Sequence, residues 1–254
     1  MSFIDPTSKQ VNFVRTWSNF FSGLIWLITG YLVIVLSQII AAIVVGVLEA
    51  QKTGVTPDES EMQRIFEDGD LIGFSFPPGM IAVVVLITIV IKFRRKCTVT
   101  EYLALNSLPP GIILRWVGLA GLVMIANFAS DFAFNRPNVP AWTEAVFNSV
   151  DYKLLFVIGL TISGPILEEV LCRGYVLRAW MESKLHPCLA ILLVTSLWTL
   201  MHLQYDLYDM SWVFILGLLL AYSRIRSGSL YPAIAIHCAW NFSSYLALEY
   251  YLGN

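Results

Sequence analysis

Residues 154–180 read LLFVIGLTISGPILEEVLCRGYVLRAW. Roughly 20 residues suffice for a helix to cross a bilayer core, and this stretch is longer. Yet it holds Glu168, Glu169 and Arg173 well inside it. A charged side chain at the centre of a membrane helix costs roughly 2.5–3.5 kcal/mol on insertion scales, so such groups face a protein interior and serve a purpose. The stretch therefore predicts a membrane span with a polar inner face. Outward from it, further apolar runs cover Phe20–Leu48, Leu71–Ile91, Gly111–Ser130, Pro187–His202, Met210–Ser223 and Ser229–Leu248. The second is entered through Pro77-Pro78-Gly79, and the third carries Arg115 near its end, where it can snorkel. No period-two alternation appears, which argues against a β-barrel. The expected fold is all-α, a polytopic transmembrane helix bundle of about seven spans.

Composition agrees. Of 254 residues, 57% are hydrophobic and 13% charged, about half the charge of a typical soluble domain. Disordered chains, soluble globular domains and nucleic-acid binders are excluded, and a net charge of −2 implies no polyanionic partner. Cys97, Cys172, Cys188 and Cys238 form no CxxC pair, so no disulfide framework or zinc knuckle is indicated. Phe20–Leu48 is too long for the apolar part of a signal peptide and reads as a retained first span.

Seven spans put the termini on opposite sides. With the N-terminus inside, the inner segments hold 12 basic residues: Lys9, Arg15, Lys92, Arg94, Arg95, Lys96, Arg115, Arg173, Arg178, Lys184, Arg224 and Arg226. The outer segments hold 4: Lys52, Arg64, Arg136 and Lys153. The positive-inside rule then predicts a cytoplasmic N-terminus, with the acidic loop 57–70 outside and the basic cluster 92–96 as a topology signal. Three regions result: a cytoplasmic segment 1–19, an N-terminal region of three spans at 20–153, and a core of four spans at 154–250 that holds nearly all the polar chemistry. Membrane lipids are the expected surroundings.

Within the core, Glu169 and Arg173 are four apart and lie about 40° apart on one helix face, where they can pair. Glu168 points about 140° from Arg173 and is the freer carboxylate, suited to a general base. Pro165 removes a backbone donor and bends the helix just before the glutamates. In Trp198-Thr-Leu-Met-His202 the spacing stacks indole and imidazole on one face, as it does His237 and Asn241 on the last span. His186 reads as solvated, Asp206 and Asp209 as outer loop charges that could also line the mouth of a site. Cys172, Cys188 and Cys238 read as small hydrophobes. At 1.5 Å per residue, Glu168 and His237 fall nearer the inner side and His202 nearer the outer, so the spans must be offset or tilted for the three to meet.

The ordered elements Glu168-Glu169-x-x-x-Arg173, Trp198-x-x-x-His202 and His237-x-x-x-Asn241 resemble the CAAX protease and bacteriocin-processing family. These are intramembrane glutamic proteases, with the type II CAAX prenyl endopeptidases as eukaryotic members. The resemblance covers about residues 154–250 and includes Arg173-Gly174 and the Gly228–Pro232 turn. Trp198 departs from the family pattern, which has phenylalanine there. The resemblance implies that Glu168 activates a water that His202 helps to hold. His237 and Asn241 would form an oxyanion hole, supported by Glu169 and Arg173, with no metal or other cofactor. The implied substrate is a peptide or membrane-protein segment, lipidated or not, and the setting a bacterial cell membrane. Two alternatives stand beside this reading: a zinc protease using Glu168, His202 and His237, and a non-catalytic immunity or binding protein. A transporter would be expected to show inverted repeats, and none is visible.

Overall fold

The computed structural model describes residues 16–55, 64–65, 68–94, 97–137 and 139–253. Most of the N-terminal segment, much of the acidic loop 57–70 and part of the basic cluster 92–96 therefore lie outside the described residues. Among the described residues the chain is helical and contains no strand.

The helices are α1 (Trp17–Thr53), α2 (Asp70–Arg94), a short α3 (Val99–Leu103), α4 (Pro110–Ala133), α5 (Ala141–Asn148), α6 (Lys153–Met181), α7 (Pro187–Leu200), α8 (Leu207–Ser227) and α9 (Tyr231–Leu252). Helices α1, α2, α4 and α6 are long and apolar enough to cross a membrane by length and composition. Helices α7, α8 and α9 occupy the positions of the remaining three expected spans. The chain is thus an all-α bundle and an integral membrane protein. The helix at the sixth expected span extends beyond its apolar run at both ends. It runs 21 residues, started by the Asp206 carboxylate accepting from the Asp209 N–H and ended at Gly228, whose φ of 65° a glycine adopts without strain.

Two other expectations are corrected. Pro77 and Pro78 lie inside α2 rather than at its entry. Membrane helices tolerate such prolines because neighbouring groups re-satisfy the freed carbonyls. His202 lies beyond the last helical residue of α7, in the turn that follows it.

Burial ranks the helices. About 56% of the apolar window of α6 is buried, against 6% of that of α4, so α6 is the central strut and α4 faces outward. Helix α2 approaches α6 closely because both carry glycine at the contact. A Cβ on Gly159 would stand 2.6 Å from the Ile72 carbonyl oxygen, and one on Gly73 would stand 2.9 Å from the Leu155 carbonyl carbon. Small residues let membrane helices pack backbone to backbone. Gly159→Ala is expected to force α2 and α6 apart and destabilise the protein by about 1–3 kcal/mol, read as a lower melting temperature in detergent.

The bundle has two chemically distinct ends. At one, Lys52 meets Asp151 at 2.5 Å, Lys153 meets Glu249 at 2.7 Å, and the Asp70 carboxylate accepts from the Asp151 and Tyr152 N–H groups. At the other, the Trp180 indole N–H donates to the Phe20 carbonyl and the Leu230 N–H to the Ala104 carbonyl.

Candidate active site

Helix α6 is not a regular α-helix. It widens into π-helical segments at Gly159–Ser163 and at Glu169–Val176, on either side of a short α-helical stretch that ends with Glu168. Single-turn π segments often mark functional positions in helices. Here the first has a traceable cause. The Gly164 N–H is committed to the Gly159 carbonyl, and Pro165 has no N–H to offer. The Leu160 carbonyl is left without a donor at the usual spacing on its own helix. Asn241, from α9, supplies one: its Nδ2 donates to Leu160 O at 2.9 Å. One amide N–H of Asn241 is thereby spent on the backbone, and one remains.

The second segment carries the glutamates. Glu169 is fully buried, and its Oε1 accepts from Arg173 Nη1 at 2.9 Å. The same oxygen lies 2.9 Å from His237 Nδ1. The ion pair expected from the sequence spacing is therefore present, and it also ties α6 to α9. Glu168, by contrast, is half-buried and opens onto a cavity of about 300 Å³. The two adjacent carboxylates have separate surroundings: one is locked in an ionic cluster, the other borders free volume.

Trp198 joins these parts. Its indole N–H donates to Glu168 Oε2 at 2.6 Å. Its ring lies 4.3 Å from the Arg173 guanidinium carbon, a cation–π contact in a dry setting. The rings of His202 and His237 stand edge-on to it, with centroids at 4.8 and 5.5 Å. Its side chain is fully buried. The sequence pattern presents this residue only as a departure from the family's phenylalanine. Its hydrogen bond to the other motif was missed, although the indole N–H that distinguishes Trp from Phe was the available signal.

His202 Nδ1 lies 3.0 Å from the Trp198 carbonyl oxygen. A carbonyl only accepts, so Nδ1 carries the proton and Nε2 is left with a lone pair in the neutral ring. This also resolves the depth mismatch. Trp198, not His202, is level with Glu168, and the His202 ring folds back one turn toward it. Side chains on a helix lean toward its N-terminus.

Glu168, His202, His237 and Asn241 all line the one cavity, with aromatic walls that include Phe76, Trp142 and Trp240. At the mouth lie Asp131, Arg136 and Asp209. Arg136 pairs with Asp206 and Asp209 and sits over the Tyr208 ring. The Asp209 N–H and the Arg136 guanidinium hold the Asp206 carboxyl below the usual carboxylate range. Asp209, read from sequence as a loop charge that could also line the mouth of a site, is a wall of the cavity. His186 is exposed as expected, and its Nδ1 accepts from the Cys188 N–H to cap α7. Among the described residues no group of three or more His, Cys, Asp or Glu side chains is arranged to hold a metal ion.

Residues 150–243 match the sequence model of a family described as type II CAAX prenyl endopeptidase Rce1-like. That part of the chain is similar to the Rce1-like family. The match contains all three motifs and ends just beyond Asn241. A protein of Escherichia coli described as an uncharacterized 24.3 kDa protein is 29% identical to this chain over 124 residues, which span 48% of this chain and 57% of that protein. The chain thus spans little more than half the length of that curated relative. No solved structure matches the chain.

Proposed function

We propose that this chain is a membrane-embedded endopeptidase of the glutamic type, with residues 154–250 as its catalytic core. The observation that carries the proposal is the convergence on one cavity of a carboxylate and three groups able to hold water or an oxyanion. Glu168 Oε2 is pinned by Trp198, which leaves Oε1 to take a proton from a water. The neutral His202 Nε2 accepts that water's second hydrogen and orients it. The water oxygen then attacks the substrate carbonyl carbon, and negative charge moves to the carbonyl oxygen. The remaining N–H of Asn241 is one donor to that oxygen. His237 Nε2 is the second, which requires the imidazolium form because Nδ1 already faces the Glu169 carboxylate. Glu169 is a positioning residue that holds the His237 ring at Nδ1, and Arg173 holds Glu169 in turn. Collapse of the tetrahedral intermediate breaks the C–N bond, and Glu168 returns its proton to the leaving amine. The substrate is a peptide or a membrane-protein segment, with or without a lipid, and the aromatic walls suit apolar residues beside the cleaved bond. We place the enzyme as a multi-pass protein of a bacterial cell membrane.

The test is hydrolysis of a peptide library by the purified protein in detergent, with EDTA present throughout. Cleavage that persists in EDTA supports a glutamate-activated water. Cleavage abolished by EDTA and restored by zinc would instead favour a metalloprotease. A folded protein that cleaves nothing would shift weight to a binding role.

Trp198→Phe tests the indole hydrogen bond. The family pattern has phenylalanine here, so the ring should fit and the protein should fold. Loss of one hydrogen bond to a charged group, worth about 1.5–3 kcal/mol, is expected to lower kcat by roughly 10- to 100-fold. KM should change little.

A further inference from the structure

Among the described residues, those that line the cavity lie in one half of the bundle, from the level of Glu168, Trp198 and His237 to one of its ends. The cavity mouth is formed by the C-terminal end of α4, by α5 and by the turn between α7 and α8. From the opposite end Glu168 is sealed off by buried side chains, among them Arg173, Tyr175, Leu177 and Trp180, each no more than 2% exposed. The bundle's basic residues are divided between these two ends. Arg173 belongs to neither, because it is fully buried beside Glu169. It therefore drops out of the inner count. On the mouth side, by position along the chain, remain Lys52, Arg64, Arg136 and Lys153. On the sealed side are Lys92, Arg115, Arg178, Lys184, Arg224 and Arg226. The inner count read from the sequence also includes Lys9, Arg15, Arg94, Arg95 and Lys96. Lys and Arg in short loops are retained on the cytoplasmic side, whereas Asp and Glu contribute little to orientation.

We infer that the sealed end faces the cytoplasm and the cavity opens on the opposite, extracytoplasmic face of the membrane. Taken with the endopeptidase reading, this defines the substrate class. The scissile bond lies in a polypeptide that has already been translocated or inserted, presented from the outer side, and not in a chain offered from the cytosol. The reaction that supplies the substrate is therefore export or membrane insertion. Charged groups at the mouth keep the entrance wetted, so water reaches Glu168 from the same side as the substrate.

The experiment reads orientation without using activity, so its failure and the failure of the endopeptidase reading are separate results. The full chain carries Cys97→Ser and Cys188→Ser, which leave the buried Cys172 and the partly buried Cys238. Into it is placed either Glu144→Cys, exposed on α5 at the mouth, or Lys184→Cys, exposed beyond α6 at the sealed end. Neither position belongs to the proposed catalytic machinery. A membrane-impermeant maleimide is added to intact cells and to permeabilised cells, and labelling is read by gel shift. The inference expects Glu144→Cys to label in intact cells and Lys184→Cys only after permeabilisation. The opposite pattern overturns it. So does a Glu144→Cys that labels only after permeabilisation, and so does labelling of both positions in intact cells, the mark of two orientations.

Discussion

Glu168→Gln is expected to lower kcat by about 1,000-fold, within the range that a positioned general base contributes. The melting temperature should stay close to that of wild type. The substitution keeps the shape of the side chain, and the Gln carbonyl oxygen can still accept from the Trp198 indole N–H. What it removes is the ability to take a proton from water and return it to the leaving amine. KM for a peptide substrate should therefore hold while turnover collapses, and single-turnover measurements should show the defect in the chemical step. Glu169→Gln provides the contrast. Glu169 is fully buried and touches Arg173 and His237, not free volume. A protein whose activity survives Glu168→Gln but not Glu169→Gln would reverse the roles assigned to the two carboxylates.

Arg173→Met is expected to destabilise the protein by about 3–5 kcal/mol, the usual effect of removing one partner from a buried ion pair. For a chain of this size that corresponds to a fall of roughly 10 °C in melting temperature. The reason is local. Both side chains are fully buried, and Arg173 is the guanidinium partner of Glu169. Its removal also takes the cation from the face of Trp198. The double variant Glu169→Gln/Arg173→Met should regain most of the lost stability, because no uncompensated charge is then buried. It should not regain activity, because His237 Nδ1 then no longer faces a carboxylate in the site. Recovery of stability without turnover separates the structural role of the pair from its electrostatic role in the site.

Several parts of this molecule were legible in the chain alone. A long apolar run that nevertheless carries Glu168, Glu169 and Arg173 can only be a membrane helix with a protected inner face, since lipid tolerates neither an unpaired charge nor an unpaired backbone group. The Glu169–Arg173 pair followed from four-residue spacing, which survives the π-helical segment because the two side chains still share a face. The all-α architecture and the approximate positions of seven of the helices followed from the lengths of apolar runs.

Tertiary structure decided what periodicity along one helix cannot reach. The Trp198–Glu168 hydrogen bond joins residues 30 positions apart on different helices. Asn241 spends one N–H on Leu160 because Pro165 left that carbonyl without a partner, a demand set by α6 and met by α9. Asp209 became part of the cavity mouth only when Arg136, from the connection between α4 and α5, reached it. The helical repeat of a single segment fixes which side chains share its face. Which faces meet, at what depth, and which end of the resulting cavity stays open depend on contacts between segments distant in the chain, and those are made only in the packed bundle.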